Sequence, residues 1–166
     1  MANQQSFTPE EWTLLRTVPS FVAGGIAAAE PSGIFGSIKE ASAGVRTVMT
    51  ALASGKNLEL FGALAADGSI PGMPDPKVLL GEGPRDAQIS HFKAAVLERV
   101  KAASAVVGQK ASPEEAAAYR AMIAEVAQNA AEATKEGGFL FFGGTRVSPA
   151  EQTFIGEVKG ALGLPA

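Results

Sequence analysis

Cysteine is absent from the 166 residues, and histidine, tryptophan and tyrosine each occur once. Without cysteine there is no thiol nucleophile, no disulfide and no Cys-ligated zinc. A single imidazole cannot build a histidine cluster, and the di-iron pattern, which needs Glu-x-x-His on two helices, goes with it. Charge is sparse as well. Charged residues make up 19%, the net charge is -3 and the pI is near 5.2, so no positive field exists to hold nucleic acid or an anionic membrane. The first apolar stretch, Phe21 to Ala29, is too short and too glycine-interrupted to span a bilayer, so no transmembrane segment is expected. Met1 to Ser6 carries no basic leader, and a cytoplasmic address is the expectation. Neither a Gly-x-Ser-x-Gly elbow nor a Walker phosphate loop is present. What is there is apolar: 46% hydrophobic residues and a mean hydropathy of +0.14, enough for one domain over 1–166 with a real core.

The most specific local signal occurs three times, at Thr8-Pro9-Glu10-Glu11, Ser112-Pro113-Glu114-Glu115 and Ser148-Pro149-Ala150-Glu151. A hydroxyl at the N-cap accepts from an orphan amide, and proline takes the first helical position, where no N–H is needed. Glutamate two residues later reaches back to the cap amide and favours the positive end of the helix dipole. Phe7 and Trp12 flank the first box at the spacing of a hydrophobic staple.

Apolar periodicity supplies the bodies of the helices. From Pro113 to about Glu136 the stripe is Tyr119, Met122, Ile123, Val126, Ala130 and Ala133, with Gly137 suited to the left-handed exit. Pro149 to Leu162, ending at Gly163, carries Phe154, Ile155, Val158, Ala161 and Leu162. Arg85 to Val107 carries Ile89, Phe92, Val96, Val100, Ala103 and Val107. Ile34 to Ala53 carries Ile38, Ala41, Val45, Val48 and Leu52, the spacing of a bundle seam, and a short helix spans Leu58 to Ala66. Pro19 lies inside the first helix, where it removes the amide bond to Leu15, so a kink is expected there. The predicted fold is therefore all-α, a single-domain bundle of six to seven helices. Its first helix is kinked, and a long Pro/Gly loop over 67–84 is pinned by Val78, Leu79 and Leu80. A weak internal pseudo-repeat relates 8–55 to 112–163 through the shared cap box, Arg16 with Arg120, and Val22 with Val126.

Chemistry-bearing residues are few. His91 falls about 200° from Ile89 around its helix, opposite the apolar stripe, and reads as a surface residue. The carboxylates Glu10, Glu11, Glu114 and Glu115 sit in first turns, where capping and the helix dipole account for them. Glu151 falls about 60° from Phe154, within the apolar arc, so its carboxylate needs a partner, and its own cap box can supply one. No catalytic residue is assigned. The segment Phe139, Leu140, Phe141 and Phe142, bracketed by glycine pairs and followed by Arg146, reads either as rings folded over the end of the bundle or as an exposed apolar patch for a partner.

The run Ala133-Thr134-Lys135-Glu136-Gly137-Gly138, followed by the Ser148 to Glu151 helix start, resembles the repeated unit of the TerB-like all-helical family of bacterial stress proteins. About thirty residues carry the likeness, with a weaker copy from Ala29 to Glu40; the family prefers Asp-Gly where this chain has Glu136-Gly137. The resemblance implies a helical bundle and a divalent metal ion held by acidic residues at these turns, namely Glu136 and Glu151, with Glu30 and Glu40 in the other copy. The functional expectation is a non-enzymatic interaction or scaffold module, stress-related through that resemblance. It would bind a protein partner or a second copy of itself through Phe139 to Phe142. The alternative is an acidic metal-binding or small-molecule-binding bundle.

Overall fold

The structure is a computed structural model; it describes residues 2–29, 38–55, 57–67, 82–133 and 147–165, with the backbone alone for 38–43. A 3-10 turn at Gln4–Ser6 leads into six α-helices: α1 Pro9–Ala29, α2 Ile38–Ser54, α3 Glu59–Ala66, α4 Arg85–Lys110, α5 Pro113–Ala133 and α6 Pro149–Leu162. No strand occurs among the described residues, and the architecture is the expected all-α bundle. No described helix is long and apolar enough to cross a membrane.

All three cap boxes close as their chemistry dictates. Thr8 Oγ1 accepts from the Glu11 amide at 3.2 Å while the Thr8 amide donates to Glu11 Oε2 at 2.8 Å. The corresponding distances are 3.2 and 2.9 Å for Ser112 with Glu115, and 3.3 and 2.8 Å for Ser148 with Glu151. The Phe7 and Trp12 rings meet at 5.7 Å between centroids, closing the staple. At the far end of α6, Gly163 adopts φ +74°, and the Leu164 amide reaches the Lys159 carbonyl at 2.9 Å, a Schellman exit that only glycine adopts without strain.

Helix α1 is the axis of the bundle, touching α2, α4, α5 and α6. Its buried residues, from Trp12 through Leu15, Val18, Phe21, Val22 and Ile26 to Ala28, surround the helix instead of lining one stripe, the pattern of a helix covered on most sides. It runs antiparallel to α4: Glu11 meets Lys110, Phe21 lies under the Arg99 guanidinium at 4.9 Å, and Gly25 faces Val96. Gly25 is also where α6 comes closest, because a Cβ there would stand 2.5 Å from Phe154 Cε1. The contact requires glycine.

Pro19 sits inside α1, which continues through it as one helix. The Leu15 carbonyl, which loses its intrahelical donor to the proline ring, accepts instead from the hydroxyl of Tyr119 on α5 at 2.8 Å. Tyr119 is fully buried, and burial pushes its phenol well above the ordinary range, so it acts only as a neutral donor.

The seam expected on α2 is rotated. Val48 and Leu52 are buried as the spacing predicts, but Val45 is 43% exposed. The reason is Gly44, where a Cβ would lie 3.1 Å from Ala23 Cβ and 3.7 Å from Val126. The missing side chain lets α2 approach α1 and α5 along Gly44, Thr47 and Val48, about 100° of helix rotation away from Val45. Asn129 on α5 secures that face by donating to Thr47 Oγ1 at 2.9 Å. Of the expected 67–84 loop, residues 68–81, including Val78 to Leu80, lie outside the described residues.

Candidate functional site

Of the residues singled out from the sequence, Phe139, Leu140, Phe141, Phe142, Arg146, Glu136 and Glu30 lie outside the described residues. Glu40 belongs to α2, with its side chain outside them too. Glu151 is therefore the one acidic candidate that can be placed. It is 0% exposed at the third position of α6, where its carboxylate closes the cap of Ser148. Among the described residues, no three His, Cys, Asp or Glu side chains come together in a way that could hold a metal ion. His91 is exposed on α4.

A second buried carboxylate does more than its sequence position implies. Glu115 is 1% exposed, and besides closing its own cap at Ser112 it accepts from two distant parts of the chain. The Leu60 amide donates to its Oε1 at 3.0 Å, and the Ala2 amide lies 3.1 Å from Oε2 and 3.3 Å from Oε1. Leu60 lies in the first turn of α3, whose N-cap residue, Leu58, has no side-chain oxygen to offer. Glu115 therefore caps two helices at once and stands at the positive end of both dipoles. Burial alone would raise its pKa. The N–H groups of Leu60, Ser112 and Ala2 outweigh that and hold the carboxyl below its ordinary value, so it stays ionised at neutral pH. Spacing along the sequence shows only the Ser112 half of this arrangement. The one available signal for the other half is Leu58, an uncapped helix start that must find an acceptor elsewhere.

The far end of α3 is also tied down. Asp67 Oδ2 accepts from the Trp12 indole at 2.8 Å and pairs with Arg16 at 3.1 Å. Beside it, Asn3, Gln4, Gln5, Ala63, Ala66 and Asp67 line a shallow hollow of about 430 Å³ between the N-terminal turn and α3. Its wall offers side-chain amides and one carboxylate, groups that hydrogen-bond polar molecules. Asn3 is partly committed already, donating from Nδ2 to Glu59 Oε1 at 3.1 Å.

The remaining surface feature is apolar. Val45 and Met49, four residues apart on α2, are 43% and 60% exposed, and they are the large hydrophobic side chains that stand clear of the core among the described residues. No family model matches the chain, and neither a curated protein nor a solved structure matches it.

Proposed function

We propose that the chain is a non-enzymatic contact module, an interaction or scaffold domain that works through its surface. The observation that supports this reading best is how the buried ionisable groups are spent. Glu115 and Glu151 cap helices, and Tyr119 repairs the carbonyl left open by Pro19. Groups so committed hold the fold and are not positioned toward a substrate. The surfaces that this reading assigns to contact are the Val45 and Met49 face of α2 and the segment Phe139 to Phe142 with Arg146. The partner is a protein or a second copy of the chain. A stress-related role belongs to the same proposal and rests on the TerB-like resemblance alone.

The test compares the full chain with two variants, Val45→Asp/Met49→Asp and Phe141→Ser/Phe142→Ser. Proteins crosslinked to the wild type are identified and purified, and their binding is measured by calorimetry. Sedimentation across a concentration series covers self-association. A measurable affinity lost in one variant whose circular dichroism is unchanged supports the module. Equal binding by all three proteins refutes both surfaces.

The hollow beside Asp67 favours a second reading, a site for a small polar molecule. A thermal shift with a panel of polyols and amines that disappears in Gln4→Ala/Gln5→Ala would favour it over the first.

A further inference from the structure

We propose that α3 and the N-terminal turn form one flap, clasped to the start of α5 by the Glu115 carboxylate, and that this flap opens as a unit while the five longer helices stay packed. Helix α3 has eight residues, too few to persist alone in water. Its N-terminal amide at Leu60 has its acceptor on Glu115, fifty-five residues away in the chain, and its other end is held through Asp67 to Trp12 and Arg16. The N-terminal turn leans on the same carboxylate through Ala2, and on α3 itself through the Asn3 to Glu59 hydrogen bond. Two pieces that share one clasp and touch each other separate together. Among the described residues, α3 packs at the margin of the bundle, against α2, α5 and the N-terminal turn. Local opening at such a margin requires less free energy than global unfolding. Opening draws Leu60 and Phe61 off the core and releases the Trp12 indole, the chain's only tryptophan, from Asp67. The inference stands apart from the proposed contact function, because it concerns how the fold opens and not what it binds.

The full chain and its Glu115→Gln variant are compared by hydrogen exchange with mass spectrometry and by acrylamide quenching of Trp12. The amide isostere keeps the shape but removes the charge and one acceptor oxygen. The expected result is exchange over 57–67 accelerated about ten-fold or more, with α4 and α6 unchanged and Trp12 more readily quenched. Equal acceleration in every helix, or none over 57–67, overturns the flap. Should the variant fail to fold, native-state exchange of the wild type in low denaturant decides. Residues 57–67 must then open before α4 and α6, and opening only together with them refutes the proposal.

Discussion

Removing the Tyr119 hydroxyl should show that a proline on one helix and a tyrosine on another form a single hydrogen-bonding unit. In Tyr119→Phe the ring that packs against the core remains, so little apolar burial is lost. The Leu15 carbonyl, however, loses its 2.8 Å donor, and Pro19 has no N–H to replace it. A buried acceptor left without a partner costs about 1–3 kcal/mol. For a chain of this length that corresponds to a melting temperature lower by about 2–4 °C per kcal/mol. The same substitution in a Pro19→Ala background should cost much less, because the restored alanine amide donates to Leu15 along the helix. The four proteins make a double-mutant cycle, followed by urea unfolding monitored at 222 nm with the slope held common. A coupling energy of about 1 kcal/mol or more is expected. If Tyr119→Phe costs the same in both backgrounds, the hydroxyl is not serving the carbonyl that proline left open, and the account of how α1 tolerates Pro19 fails.

Gly25→Ala should destabilise by about 1–3 kcal/mol, because the new methyl falls 2.5 Å from the Phe154 ring, and Phe154→Leu should recover part of the loss in the same unfolding assay. Gly163→Ala should cost about 1 kcal/mol through its left-handed φ of +74°. Stability should fall in acid. Glu115 and Glu11 both titrate below the ordinary value of 4.5. Their contribution is thus fully present above about pH 4.5 and is lost as pH falls through their folded-state values. For Glu11 the larger cause is the Lys110 ammonium, followed by the Thr8 amide. A Glu115→Gln variant should flatten the acid limb of a melting-temperature profile between pH 7 and 3, and an unchanged limb would contradict this assignment. Val45→Asp/Met49→Asp should change stability by no more than about 0.5 kcal/mol, since neither side chain belongs to the core; a larger loss would place them in it.

The sequence is most informative where a backbone group and its partner lie within one turn. The three boxes at Thr8, Ser112 and Ser148 and the Gly163 exit are local, so spacing alone reveals them. The stripe of α4 is nearly as plain, with Phe92, Val96, Val100, Ala103 and Val107 all buried. Legibility stops where the partner is distant. The Leu60 amide and its Glu115 acceptor are far apart in the chain, as are the Leu15 carbonyl and the Tyr119 hydroxyl, and no periodicity joins them. The rotated face of α2 fails for a related reason: Gly44 adds nothing to a hydrophobic pattern, yet its missing Cβ decides which side approaches α1. Of the candidate site residues, Glu151 was legible as a buried carboxylate needing a partner, because its cap lies three residues away.

The central position of α1 has a consequence for synthesis on the ribosome. Its residues are made before the helices that cover them, α4, α5 and α6, which are complete only when Leu162 has been added. At ordinary elongation rates of roughly 5–20 residues per second, a rod apolar on most of its circumference waits on the order of ten seconds for its wrapping. During that interval the apolar faces that α4, α5 and α6 will cover stand open on the nascent chain, so the order of synthesis leaves the axis of this bundle waiting for its walls.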